Sequence, residues 1–231
     1  IVVTNIPTYG TAAVSQMAIA LLLELCNHVG AHSDSVFSGE WQKSADWCYW
    51  KHPLIELAGK TLGIIGFGRI GQATGKIAQA LGMKVICYNR RRDLDEVRST
   101  GAEPVTLEEI YAQSDIISFH LPLNADSKYM VNDETFARMK DGVLIVDVAR
   151  GGVIEEAALL RALESGKVAG AALDVFEKEP PVDWAIAKHP KVIAVPHIGG
   201  QTEEAQLRVA GDIASEVMNV LQGKELRWKI C

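Results

Sequence analysis

Residues 61–65, TLGII, run straight into Gly66-Phe67-Gly68-Arg69-Ile70-Gly71, and then into a segment whose Ile70, Ala73, Ile77, Ala78 and Leu81 recur at helical spacing until Gly82 stops them. Few folds accept a short apolar strand that turns through three spaced glycines into an amphipathic helix. Gly66 permits the tight turn. Gly68 leaves the backbone bare, so that a pyrophosphate can approach the N–H groups at the helix start. Gly71 lets helix and strand pack closely. The glycine pattern alone is a weak signal; between a strand and a helix it points to a dinucleotide-binding crossover.

The alternation continues along the chain. KVICY (84–88), DIISFH (115–120), GVLIVDV (142–148), VAGAALDV (168–175) and KVIAVPH (191–197) read as strands. Helices are expected after Thr106, near 133–140, over 155–164 and over 203–222. Thr106 with Glu109 is a capping-box signature. Glu203 and Glu204 follow Thr202 in the first turn of the last helix, where the dipole favours anions. Val- and Ile-rich strands separated by helices predict an α/β fold, a doubly wound parallel sheet covered on both faces. Upstream, 11–30 reads as one helix, apolar on most sides, followed by a loop bearing Trp41, Trp47 and Trp50 that reads as packing or interface material. The expected division is 1–60 as interdomain helix and Trp-rich loop, 61–200 as dinucleotide-binding core, and 201–231 as a returning helix.

Ligands of an open parallel sheet bind beyond the carboxyl ends of its strands. At those ends stand the glycine turn, Asn89 and Arg90, His120 and Pro122, Ala149-Arg150-Gly151-Gly152, Asp174, and His197-Ile198-Gly199-Gly200. Arginine, histidine, carboxylate and glycine turns converge on one edge, which argues for an enzyme site.

The second strand ends in VICYNRRRD (85–93). A carboxylate there would accept hydrogen bonds from the ribose hydroxyls of NAD and repel the 2′-phosphate of NADP. Asn89 removes the repulsion, and Arg90, Arg91 and Arg92 supply charge-assisted bonds to a phosphate. NADP is therefore the expected cofactor, with NAD as the alternative. Asp93 and Asp95 offset part of this charge.

Reduction of a ketone leaves an alkoxide that needs a proton. His197 is the best donor, because imidazole titrates near neutrality, with His120 as its competitor. Arg150 suits a carboxylate by a two-pronged contact and can polarise the carbonyl. An acid beside His197 would favour the imidazolium, and the pattern leaves Asp174, Glu177 and Glu179 open.

LAGKTLGIIGFGRIGQ, VDVARGGVIEE, AALDVFEKEP and VPHIGGQTEEA together resemble the D-specific 2-hydroxyacid dehydrogenases over nearly the whole chain. The resemblance implies a Rossmann-type nucleotide domain and a catalytic trio of Arg150, Glu179 and His197. It also implies that Asp174 meets the nicotinamide carboxamide and that Val148, Ala149 and Arg150 line its ring. The basic turn after Asn89 is similar to the NADPH-dependent glyoxylate/hydroxypyruvate reductase branch, and Glu179 separates the chain from the formate dehydrogenase branch. The expected cofactor contacts are Gly66, Gly68, Arg69, Ile70, Gly71, Asn89, Arg90, Arg91, His120, Pro122, Val148, Ala149, Asp174, Gly199 and Gly200. Family chains begin with a lid domain of roughly a hundred residues. This sequence opens where that lid hands over, so it reads as a fragment lacking it. Pairing of the family through the region of the apolar helix 11–30 and the Trp loop implies a homodimer.

A different class, a dinucleotide-sensing binding protein of the corepressor kind, shares the resemblance; turnover of glyoxylate or hydroxypyruvate would separate the two. A third reading is a fragment that binds cofactor without turnover. The net charge of −6 argues against nucleic acid or an anionic membrane as partner. The longest apolar stretch stops at Glu24, short of a span, and no metal spacing is visible among Cys26, Cys48, Cys87 and Cys231. Reduced, inert thiols and a cytoplasmic location are expected.

Overall fold

The protein is described here by a computed structural model covering residues 2–90 and 94–230. Seven strands form one sheet: β1 Thr61–Ile65, β2 Lys84–Tyr88, β3 Glu103–Pro104, β4 Ile116–Phe119, β5 Val143–Asp147, β6 Val168–Leu173 and β7 Val192–Ala194. Their spatial order is β3-β2-β1-β4-β5-β6-β7, and every pair is parallel. The chain starts at β1, winds outward through β2 and β3, then returns to place β4 on the other side of β1 before winding to the far edge. The reversal between β1 and β4 is the switch point at which such sheets open a crevice.

Helices cover both faces. α1 Thr11–Asn27 and α3 Arg69–Ala80 pack on one layer with Leu62, Ile64, Val85, Leu144 and Val146. α5 Leu107–Gln113, α6 Asp133–Arg138 and α7 Glu156–Ser165 cover the other, with Ile65, Ile86, Ile117 and Ile145. Successive strand side chains thus enter opposite cores, and β4 and β5 are buried at every position. That is why their sequences are nearly continuous apolar runs, interrupted only by Ser118 and Asp147, rather than alternations. The Thr106 capping box forms as expected: Glu109 N donates to Thr106 Oγ1 (3.2 Å) and Thr106 N donates to Glu109 Oε2 (2.7 Å).

The 11–30 segment departs from expectation. α1 ends at Asn27, His28 takes a left-handed conformation (φ 48°), and α2 Val29–Phe37 leaves at 59°. His28 N closes the first helix on Glu24 O (2.8 Å), while the Glu24 carboxylate accepts from Gly30 N (3.1 Å) at the start of the second. The bend carries α2 and the Trp loop away from the core. Phe37 is 89% exposed and Trp47 82%, so these side chains do not cover their own chain's interior. α4 Leu94–Ser99 and the two-residue β3 were not expected; the helix near 133–140 stops at Arg138, and KVIAVPH keeps only three residues of strand. α8 Glu203–Leu221 closes the chain, with Thr202 Oγ1 accepting from Ala205 N (3.2 Å). Beyond it Thr4 and Lys229 bridge antiparallel, which sets the first and last described residues side by side. No single helix among the described residues is long and apolar enough to cross a membrane.

Candidate active site

Gly66 sits at the switch point with φ 94°, and a Cβ there would lie 2.6 Å from the His120 carbonyl carbon and oxygen. Only glycine allows the β1 turn to press against the β4 turn this closely. Gly71 shows the same constraint on the helix side, where a Cβ would stand 2.4 Å from Gly66 O. Gly68 differs: it starts α3, and a Cβ there would meet nothing within 4 Å. Its bare backbone faces open space at the N-terminus of a twelve-residue helix, a setting that suits an anion.

Two cavities flank this turn. One, of about 690 Å³, opens between the β1, β2 and β4 ends and is lined by Gly66, Gly68, Asn89, Arg90, His120 and Pro122, among others. The other, of about 380 Å³, is lined by Ile70, Val148, Ala149, Arg150, Asp174 and His197, with Gly200 at its edge. The segment His120–Leu121–Pro122 is common to both. An extended molecule with two ends, joined over a pyrophosphate at Gly68, fits this pair.

Arg150 and His197 therefore share one cavity. His197 has φ 53°, and its Nδ1 lies 2.6 Å from Glu179 Oε2. The other Glu179 oxygen accepts from Phe176 N (3.0 Å), so the carboxylate is anchored to its own loop while it orients the ring. Of the three acids left open by pattern, Glu179 is the one paired with His197. Glu177 instead accepts from Tyr129 Oη (3.0 Å) and Glu156 N (2.7 Å). Arg150 donates to its neighbour's carbonyl, Ala149 O (2.6 Å), and forms no ion pair among the described residues.

Two buried carboxyls lie beneath these turns. Asp174, 2% exposed, accepts from Ile198 N (2.6 Å) and Gly199 N (2.8 Å), and so clamps the turn that carries His197. Burial raises its carboxyl, against the pull of those two N–H bonds. Asp147, at the end of β5, accepts from Ala149 N (2.8 Å) and holds the turn that carries Arg150. Burial pushes it up to about 8, outweighing hydrogen bonds from Ala149 and Arg150 N–H groups. The two strand ends touch through Asp174 N and Asp147 O (2.9 Å). Sequence reasoning missed Asp147; an acid closing the apolar run LIVDV was the available signal.

Gly151 brings the halves together. A Cβ on it would lie 1.9 Å from the Phe176 carbonyl carbon and 2.5 Å from Glu177 N. Close backbone approach at this glycine lets the Arg150 turn abut the loop that holds Glu179.

His120 has its Nε2 2.8 Å from Ser118 Oγ, and its Nδ1 is buried without a partner among the described residues. Burial pushes the imidazole down to about 4, so the ring is neutral at physiological pH and holds no extra proton to give. Arg90 pairs with Asp126 on the loop after β4, a partner the sequence did not suggest. Arg69 and Gly199 line neither cavity, and Arg91, Arg92 and Asp93 lie outside the described residues.

The family model of the D-isomer specific 2-hydroxyacid dehydrogenase NAD binding domain matches residues 19–199. The chain belongs to that family. It is 48% identical over 222 residues to a hydroxypyruvate reductase of Blautia hydrogenotrophica, covering 96% of this chain and 69% of that protein. A D-3-phosphoglycerate dehydrogenase of Bacillus subtilis is 43% identical over 223 residues, 96% of this chain and only 41% of its own length. The crystal structure of a glyoxylate reductase from Paecilomyes thermophila superposes with a TM-score of 0.89 at 35% identity, covering 100% of this chain and 68% of that one. The chain thus spans about two thirds of the first of these relatives and less than half of the second.

Proposed function

We propose that the protein transfers a hydride between a nicotinamide dinucleotide, NADP(H) ahead of NAD(H), and a small 2-keto or 2-hydroxy acid such as glyoxylate or hydroxypyruvate. The observation that carries this reading is the 2.6 Å contact of Glu179 with Nδ1 of His197, which lines a cavity together with Arg150, a guanidinium without an ion pair among the described residues. Similarity to a hydroxypyruvate reductase and a glyoxylate reductase supports the substrate class.

Gly66, Gly68, Ile70, His120, Pro122, Val148, Ala149 and Asp174 would hold the dinucleotide, with Asn89 and Arg90 at its adenosine end. Bound there, it supplies the hydride. Arg150 takes the substrate carboxylate in a two-pronged contact and draws electron density from the carbonyl. His197 delivers a proton from Nε2 to the carbonyl oxygen, and Glu179 fixes which nitrogen faces the substrate. Asp174 and Asp147 keep the two turns in place. The absence of a carboxylate at Asn89, and the cation beside it, favour NADP.

The test is steady-state turnover with NADPH and NADH over glyoxylate, hydroxypyruvate, pyruvate and bulkier keto acids. Arg150→Ala and His197→Gln should abolish turnover, and NADH preference would overturn the cofactor assignment. We further propose that two copies pair through α2 and the Trp loop, where Phe37, Trp41, Trp47 and Trp50 form an exposed apolar group. Segment 201–231 then leads toward a separate substrate-binding domain.

A further inference from the structure

We infer that Asp126 sets the protein's choice between NADP and NAD, as a counter-charge that a 2′-phosphate must displace from Arg90. The inference rests on the reading that the adenosine half of a dinucleotide occupies the 690 Å³ cavity.

Among the described residues lining that cavity, Arg90 and Asp126 are the only charged ones besides the neutral His120. They come from different elements. Arg90 follows β2, and Asp126 stands on the loop after β4, so the pair spans the cavity mouth. The loop holds Asp126 by its backbone: Asp126 N donates to Asn124 Oδ1 (2.9 Å), and Ser127 Oγ donates to Pro122 O (2.7 Å). Lys128, the nearest other cation on this loop, lies over the Tyr129 ring instead (5.1 Å). The Asp126 carboxylate is thus aimed at Arg90 by the fold.

Both partners are well exposed, at 76% and 68%. Exposed pairs of this kind contribute little to stability, so a competing anion can exchange for the carboxylate. A 2′-phosphate offers more charge and three acceptor oxygens, and takes the guanidinium more strongly than one carboxylate does. It must do so beside the displaced Asp126 charge. A ribose hydroxyl carries no charge and so meets no such penalty. Asp126 therefore lowers affinity for the phosphorylated cofactor and leaves the other almost untouched.

The experiment is equilibrium binding of NADP+ and NAD+ to the whole protein and to Asp126→Asn, by calorimetry, which needs no turnover. Asparagine keeps the shape and removes the charge. The NADP+/NAD+ affinity ratio should rise about three- to tenfold at low salt and by less at high salt, as expected for a screened surface charge. In Arg90→Ala the same substitution should change the ratio differently, since the carboxylate then acts on the phosphate without a guanidinium to compete for. An unchanged ratio in Asp126→Asn, with both cofactors still bound, overturns the inference alone. Failure of the wild-type protein to bind either dinucleotide overturns the reading of the cavity and the inference with it.

Discussion

Gly151→Ala isolates the contact that aligns the reactive groups. The added methyl would sit 1.9 Å from the Phe176 carbonyl carbon, 2.0 Å from its oxygen and 2.5 Å from Glu177 N. All three are backbone atoms, so no side-chain rotation relieves the overlap. The turn must withdraw from the 176–177 segment by more than an ångström. Arg150 precedes the substituted residue directly, and Glu179 lies three residues beyond Phe176, so the guanidinium moves relative to the Glu179–His197 pair. A displacement of about 1 Å costs roughly 10²-fold in rate, or about 2.7 kcal/mol of transition-state stabilisation. Overpacking of this kind also costs about 1–3 kcal/mol of stability. We therefore expect kcat/KM for hydroxypyruvate or glyoxylate to fall about a hundredfold, with a lowered urea midpoint and dinucleotide affinity within a few-fold of wild type. Gly68→Ala is the control: its methyl meets nothing within 4 Å, so the midpoint should hold while dinucleotide affinity drops. Wild-type kcat/KM in Gly151→Ala, or loss of cofactor binding in step with turnover, would refute the reasoning.

Glu179→Gln keeps an acceptor for Phe176 N but removes the charge facing His197; kcat should fall about a hundredfold with dinucleotide affinity unchanged, read by steady-state kinetics beside calorimetry. Asp147→Asn tests the buried carboxyl, which burial holds up to about 8 against an ordinary 3.8. The folded protein keeps a proton that the unfolded chain releases, so this stabilisation is full below pH about 4 and is lost as pH rises to about 8. The wild-type urea midpoint should thus decline relative to Asp147→Asn between pH 5 and pH 8, and parallel curves would dismiss the assignment. Trp47→Ser with Phe37→Ser should shift sedimentation toward a slower species at micromolar concentration without lowering secondary structure by circular dichroism; an unaltered profile argues against pairing through this arm.

The sheet was legible because β1, β2, β4, β5 and β6 are short apolar strings, the first four of them each followed by a helix. The reactive edge followed from topology, since Arg150, Asp174 and His197 stand within three residues of a strand end, whereas Glu179, six residues past β6, carried no such signal. Other elements carried no comparable signal. β3 has two residues, too few for any period, and α2 mixes Gly30, Ser33 and Ser35 among its apolar positions. The bend at His28 was hidden because neither glycine nor proline stands at residues 27–28; the left-handed residue and the Glu24–Gly30 contact that stabilise it are three-dimensional facts. Likewise Asp126 lies 36 residues from Arg90, and Asp147 looked like the end of a strand until its partner N–H groups were in view. Composition reads burial well; it does not read which charge meets which across a loop.

Among the described residues, His120, Leu121 and Pro122 are all that the two cavities have in common. Whatever tunes the end near Asn89 reaches the end near His197 chiefly through this segment. A change of coenzyme and a change of substrate can then be introduced by separate substitutions, whose free energies should add where neither residue touches the shared segment. The segment between them works as a party wall, and the architecture leaves each tenant free to be replaced without evicting the other.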